Sequence, residues 1–225
     1  MRLSLLLVAA LAVGCAQAGA AQAAQTRVYE RDGFVLDFRD EAGTTDQGTA
    51  DRMVETFFAV YPRLVADFNP QASRRVTFIM DPTLQGVAGA GGDVVMYSSG
   101  YFQQHPGDTD VVTHEVMHVV QAYGDQPVPG WLTEGVADYV RNRYGVDNAA
   151  GGWSLGDYSP NQKLEGGYRG AGRFLTWLET HGHAGIVRDL DAQARAGTYT
   201  EDTWRTLSGK SLPELWAAYA AAPAL

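Results

Sequence analysis

Apolar residues recur along this chain with two different periods, and the switches between them divide it into elements. From Thr26 to Phe38 apolar and polar positions alternate through Val28, Phe34, Leu36 and Phe38, which predicts two short strands turning at Asp32-Gly33. From Thr45 to Phe68 the spacing becomes helical, through Met53, Phe57, Val60, Leu64, Val65 and Phe68. Pro62 is expected to bend this helix or divide it after Tyr61. Arg75 to Met80 is β-branched and aromatic and stops at Asp81-Pro82, as a buried strand would. Gly86 to Gly92 is rich in Gly and Ala and predicts a flexible loop leading into another strand at Asp93 to Tyr97. That strand could offer its edge to an extended peptide or serve as an ordinary core strand.

The second half turns helical. Gly107-Asp108-Thr109 offers a cap for a helix running through Gln121 and stopping at Gly124. Asp125 to Gly130, with Pro127 and Pro129, predicts a stiff connector to a helix from about Trp131 to Tyr144. Asn148 to Glu165 lacks periodicity and suits an irregular loop, such as a substrate lid. Further helices are expected over Tyr168 to Glu179, Ile186 to Ala196 and Leu212 to Ala221, with no internal repeat.

Composition narrows the class. With 225 residues, 45% of them hydrophobic, the chain can bury one sizeable core. The first residues are expected to stand apart. Arg2, an apolar run from Leu5 to Val13 and small residues after it predict a secretory signal over residues 1–24, leaving a single domain at 25–225. Ala21-Gln22-Ala23 suits ordinary signal cleavage, which implies a secreted or periplasmic protein. Leu11-Ala12-Val13-Gly14-Cys15 offers the alternative of a lipobox and a membrane-anchored lipoprotein. Cys15 is the only cysteine, so no disulfide and no thiol nucleophile remain after cleavage. The net charge of -9 and the lack of a basic stripe argue against nucleic acid as a partner. No later stretch is long and apolar enough for a membrane helix, and a monomer is expected.

Candidate chemistry gathers between His114 and Asp138. In His114-Glu115-Val116-Met117-His118 the two histidines are four apart on a helix, so both imidazoles face one way and can take neighbouring vertices of a zinc tetrahedron. Glu134 follows as third ligand, and three protein ligands leave one position for water, the arrangement of a catalytic rather than a structural zinc site. Glu115 then stands as general base beside zinc-activated water. Asp138, one turn after Glu134, either buttresses a metal-bound imidazole or pairs with Arg141 or Arg143. Gln121 shares the face of His114 and His118 and either lines the site or ends the helix. Tyr168 opens a helix after a Gly-rich loop and is the candidate donor to a tetrahedral oxyanion, against a plain core role. His105, His181 and His183 fall outside the motif and suit surface or loop positions.

The blocks His114 to Gln121 and Pro129-Gly130-Trp131-Leu132-Thr133-Glu134-Gly135-Val136-Ala137-Asp138-Tyr139-Val140-Arg141 resemble the basic secretory protein family of plant and bacterial metallopeptidases. More widely the pattern is similar to the gluzincins, whose Glu and following Asp supply the third ligand and the carboxylate behind a ligand. Those roles fall on Glu134 and Asp138. The Tyr168 segment is similar to the helix-opening Tyr of zinc aminopeptidases. The likeness runs roughly from Val76 to Leu178. It implies a zincin-like α+β metallopeptidase domain, a small twisted sheet packed on the metal helix with a mainly helical carboxy-terminal part. It also implies Zn2+ as cofactor and a peptide or protein substrate. A pI near 4.9 departs from the family's name, so nothing tied to a basic surface carries over. The competing expectation is a non-catalytic envelope binding protein or lipoprotein that keeps the scaffold.

Overall fold

The computed structural model describes residues 24–225; the expected leader, Cys15 included, lies outside them apart from its last residue. Strands β1 (Gln25–Arg31) and β2 (Phe34–Asp40) form the expected antiparallel hairpin. Its turn takes positive φ at Asp32 and Gly33, 51° and 77°, the twist that a two-residue hairpin needs. Helix α1 (Gln47–Asp67) then crosses over to β3 (Arg75–Asp81), which pairs parallel to β2. Asp46 caps α1 by accepting from the Thr49 amide at 2.9 Å. The helix continues through Pro62 rather than dividing after Tyr61.

The Gly/Ala segment departs from expectation. Ala88–Gly91 is a strand, β4, pairing antiparallel with β5 (Val94–Ser98), and the sheet order is β1-β2-β3-β5-β4. The strand at Asp93 to Tyr97 is therefore interior, between β3 and β4, and the outer edge belongs to the residues expected to be a loop. Glycine and alanine carry no strand preference of their own, so only the partner β5 holds them extended.

Alternate residues of β2, β3 and β5 point to one face. Leu36, Val76, Phe78, Met80, Val95 and Tyr97 are all wholly buried there, each worth about 1.5–3 kcal/mol of apolar burial for the larger side chains. α1 closes that face, with the Phe57 ring 5.5 Å edge-on from Phe78. Short α2 (Ser99–Gln104), which the sequence pattern did not foretell, leads to α3 (Val111–Gln121). Val112, Val116, Met117 and Val120 of α3 are fully buried, so the helix is anchored on several sides. It ends where Ala122 takes the left-handed conformation (φ 45°), two residues before Gly124. Its amino-terminal cap position is Asp110, one residue beyond the expected Gly107-Asp108-Thr109.

Helices α4 (Gly130–Tyr144) and α5 (Tyr168–Thr180) pack closely because small residues meet. A Cβ on Gly135 would come 2.7 Å from Ala171 Cβ, and one on Gly172 would come 2.9 Å from Asp138 Cβ. The irregular segment between these helices is partly packed down: Trp153 and Leu155 are buried. α6 (Ile186–Arg195), α7 (Thr203–Ser208) and α8 (Leu212–Ala221) complete the helical part, α7 being unexpected. Among the described residues no helix is long and apolar enough to cross a membrane.

Candidate metal centre

α3 and α4 bring His114, His118 and Glu134 together, and one ligand atom from each lies within 4.8 Å of the others. The separations are tighter than that bound. His114 Nε2 is 3.2 Å from His118 Nε2 and 3.2 Å from Glu134 Oε2, and His118 Nε2 is 3.6 Å from Glu134 Oε2. Donors bonded at about 2.0–2.1 Å to one tetrahedral ion stand about 3.3 Å apart, so this triangle has the size of a zinc face.

The other side of each ring explains why both Nε2 atoms face inward. His114 Nδ1 donates to Asp138 Oδ1 at 2.7 Å, and both groups are buried. Asp138 thus backs His114, while Arg141 pairs instead with Asp108. His118 Nδ1 donates to Gln121 Oε1 at 2.6 Å. The orientation of that amide is fixed because Gln121 Nε2 donates to the Thr133 carbonyl at 2.9 Å. With both Nδ1 protons engaged, two Nε2 lone pairs and a carboxylate confront one another, an arrangement that calls for positive charge between them.

The titration tendencies express the same demand. Burial disfavours the charged form of His114, yet Asp138 and Glu134 outweigh it and raise its pKa to about 9. Burial also opposes ionisation of Glu134, but hydrogen bonds from His114 and His118 prevail and lower it to about 2. A divalent cation would take the place of the proton that these groups hold. The residues therefore fit zinc in donor type, spacing and support.

Glu115 is buried beside the pair, and its pKa is raised mainly by burial, against the attraction of His114 and His118. Tyr168, by contrast, is exposed and opens α5 with a positive φ of 47°, after Gly167 at 61°. Its ring lies nearly parallel to His114, 6.2 Å between centroids. The charge of Glu134 is the first cause that raises its pKa. A cleft of about 780 Å3 is lined by His114, Glu115, His118, Glu134 and Tyr168, with the β4 segment along one wall. His105 and His181 are exposed, the first tilted against Tyr101 and the second stacked on Trp177, and His183 lies between α5 and α6.

The sequence pattern left one partner of the site open and hid one wall of it. Gln121 could be placed on the correct helix face, but its double role requires Thr133, which only the packing of α4 on α3 supplies. The wall of the cleft is β4, whose Gly/Ala composition hid it.

The architecture, a mixed sheet packed with the helix of the two histidines, is an α+β fold shared with zinc metallopeptidases. The crystal structure of an M1 zinc metallopeptidase from Deinococcus radiodurans matches with a TM-score of 0.55 and 16% identity over 90% of this chain and 53% of that one. A two-domain M1 zinc metallopeptidase mutant bound to L-tryptophan matches with a TM-score of 0.54, again at 16% identity, over 90% of this chain and 52% of that one. The chain thus spans about half the length of these structures. Among curated proteins none matches its sequence. The family described as "Peptidase of plants and bacteria" matches residues 32–219, and the chain belongs to it. This is the basic secretory protein family of the motif resemblance, and the match extends beyond both ends of the stretch from Val76 to Leu178.

Proposed function

We propose that the protein is an exported zinc-dependent peptidase that hydrolyses peptide bonds in peptide or protein substrates. The observation that carries this reading is the zinc-sized triangle of His114, His118 and Glu134 with buried Glu115 beside it. Those three residues would hold the ion, with Asp138 and Gln121 fixing the two rings. Zinc bound there supplies a Lewis acid that brings the pKa of water down to about 7.

The chain's own groups then have distinct tasks. Glu115 takes a proton from the attacking water and passes it to the leaving amine nitrogen as the C–N bond breaks. Tyr168 donates its hydroxyl to the developing oxyanion, and its place over the cleft beside His114 supports that role. The outer edge of β4 pairs with the backbone of an extended substrate, since Ala88, Gly89 and Ala90 line the same cleft. The net charge of -9 favours such a substrate over nucleic acid.

Zinc-loaded protein incubated with a proteome-derived peptide mixture, read by mass spectrometry, tests the reading. Cleavage is expected at sites sharing a side-chain preference. Turnover of no peptide would overturn it.

A further inference from the structure

A second cavity of about 470 Å3 adjoins the first, sharing Val87, His114, Glu115 and Tyr168 with it and extending to Trp153 and Arg169. The charged groups that face it are nearly all engaged. Asp138 holds His114. Asp108 accepts from the Tyr101 hydroxyl at 2.6 Å and pairs with Arg141. Arg141 also donates to Asn148 at 2.9 Å, and its guanidinium lies 4.4 Å from the centre of the Trp153 ring. Glu115 is the proposed base.

Arg169 is the exception. It is exposed, directly follows Tyr168, and makes no ion pair with any described carboxylate. Its guanidinium lies 5.6 Å from the centre of the same Trp153 ring, so an aromatic face steadies it at the cavity. Trp153 itself is buried, pinned by Arg141, and gives the cavity a fixed floor. In a chain of net charge -9, an unpaired guanidinium at this place is a directed positive charge.

We infer that this cavity is a subsite for a carboxylate of the substrate, and that Arg169 selects it. The inference rests on the peptidase reading and deepens it by naming a substrate class. A guanidinium offers a planar fork of donors that matches both oxygens of a carboxylate. The carboxylate has two sources, the free carboxy terminus of a peptide or an Asp or Glu side chain.

Peptide binding to the zinc-loaded Glu115→Gln protein, followed by fluorescence anisotropy, tests the subsite without turnover. One matched pair carries a free or an amidated carboxy terminus; a second set, amidated throughout, carries Glu or Gln at each position in turn. The carboxylate form of one set is expected to bind about fivefold more tightly, the upper range for an exposed ion pair. Whichever set responds identifies the source. Arg169→Gln brings that ratio to about one, and Arg169→Lys retains part of it; thermal unfolding of each variant confirms an intact fold. Equal affinities in both sets, no binding at all, or a preference that survives Arg169→Gln would overturn the inference. Active wild-type protein without a carboxylate preference would sink the subsite alone, whereas an inactive protein that still shows the Arg169-dependent preference would sink the peptidase reading alone.

Discussion

His114 and Tyr168 lie ring beside ring, yet the protein holds them in opposite ways. His114 is buried on a helix that is itself packed into the core, with Asp138 fixing its far nitrogen. Tyr168 is 56% exposed, sits at the very start of α5 and rests on a left-handed backbone turn. A non-glycine residue in that conformation costs on the order of 1–3 kcal/mol, and such strain is concentrated at functional sites. On the proposed function, the contrast separates two tasks. Metal ligands need geometry fixed in advance, whereas a group at the cleft mouth must leave room for a substrate to enter and then meet it.

Zinc binding should give the largest effect. Zinc added to chelator-treated protein should raise its unfolding midpoint strongly, by about 4 kcal/mol of stability at a thousandfold excess over the dissociation constant. His118→Ala should abolish that rise; an equal rise in the variant would show that zinc binds elsewhere. Next comes the rim. Tyr168→Phe should lower kcat by about 10²–10³-fold while the zinc affinity stays put, as competition with a chromogenic chelator would measure. A fall in zinc affinity with kcat retained would assign Tyr168 to the wrong region.

The supports of the two ligand rings give a smaller effect of the converse kind. Asp138→Ala and Gln121→Ala should each weaken zinc binding by about 10–100-fold. Affinities matching wild type would mean that the rings keep their orientation without these partners. Smallest is the seam between the regions. Gly172→Ala places a methyl group 2.9 Å from Asp138 Cβ and 3.0 Å from the Tyr139 amide nitrogen. Overpacking of this kind costs about 1–3 kcal/mol, and it should displace α5 and its Tyr168 more than the core-anchored α3. Urea unfolding gives the first quantity, and the ratio of lost kcat to lost zinc affinity reads the second.

The same division explains what the sequence revealed. His114, His118, Glu134 and Asp138 were legible because each pair is four apart on one helix, so the period of the helix itself sets them face to face. The hairpin at Asp32-Gly33 and the helix at Leu212 to Ala221 were legible for the same local reason. What escaped depends on distant partners. Asp108 looked like a helix cap and Arg141 like a neighbour for Asp138, but the two pair with each other across the fold. Trp153 looked like part of an irregular loop without periodicity, yet its side chain is buried with the Arg141 guanidinium over its ring. β4 owes its strand to β5, and α2 and α7 are too short to establish a period. Pro62 was expected to bend α1 or divide it after Tyr61; the helix does not divide, and its packed face runs on through Leu64 and Val65.

The proposed hydrolysis requires Glu115 to act chemically at a metal that it does not hold. The direct measurement compares wild type with Glu115→Gln, recording bound zinc per chain by elemental analysis and peptide hydrolysis on the same samples. Equal zinc in both, with hydrolysis reduced by about 10²–10⁴-fold in the variant, is the predicted result. Hydrolysis undiminished in Glu115→Gln at full zinc occupancy would contradict it.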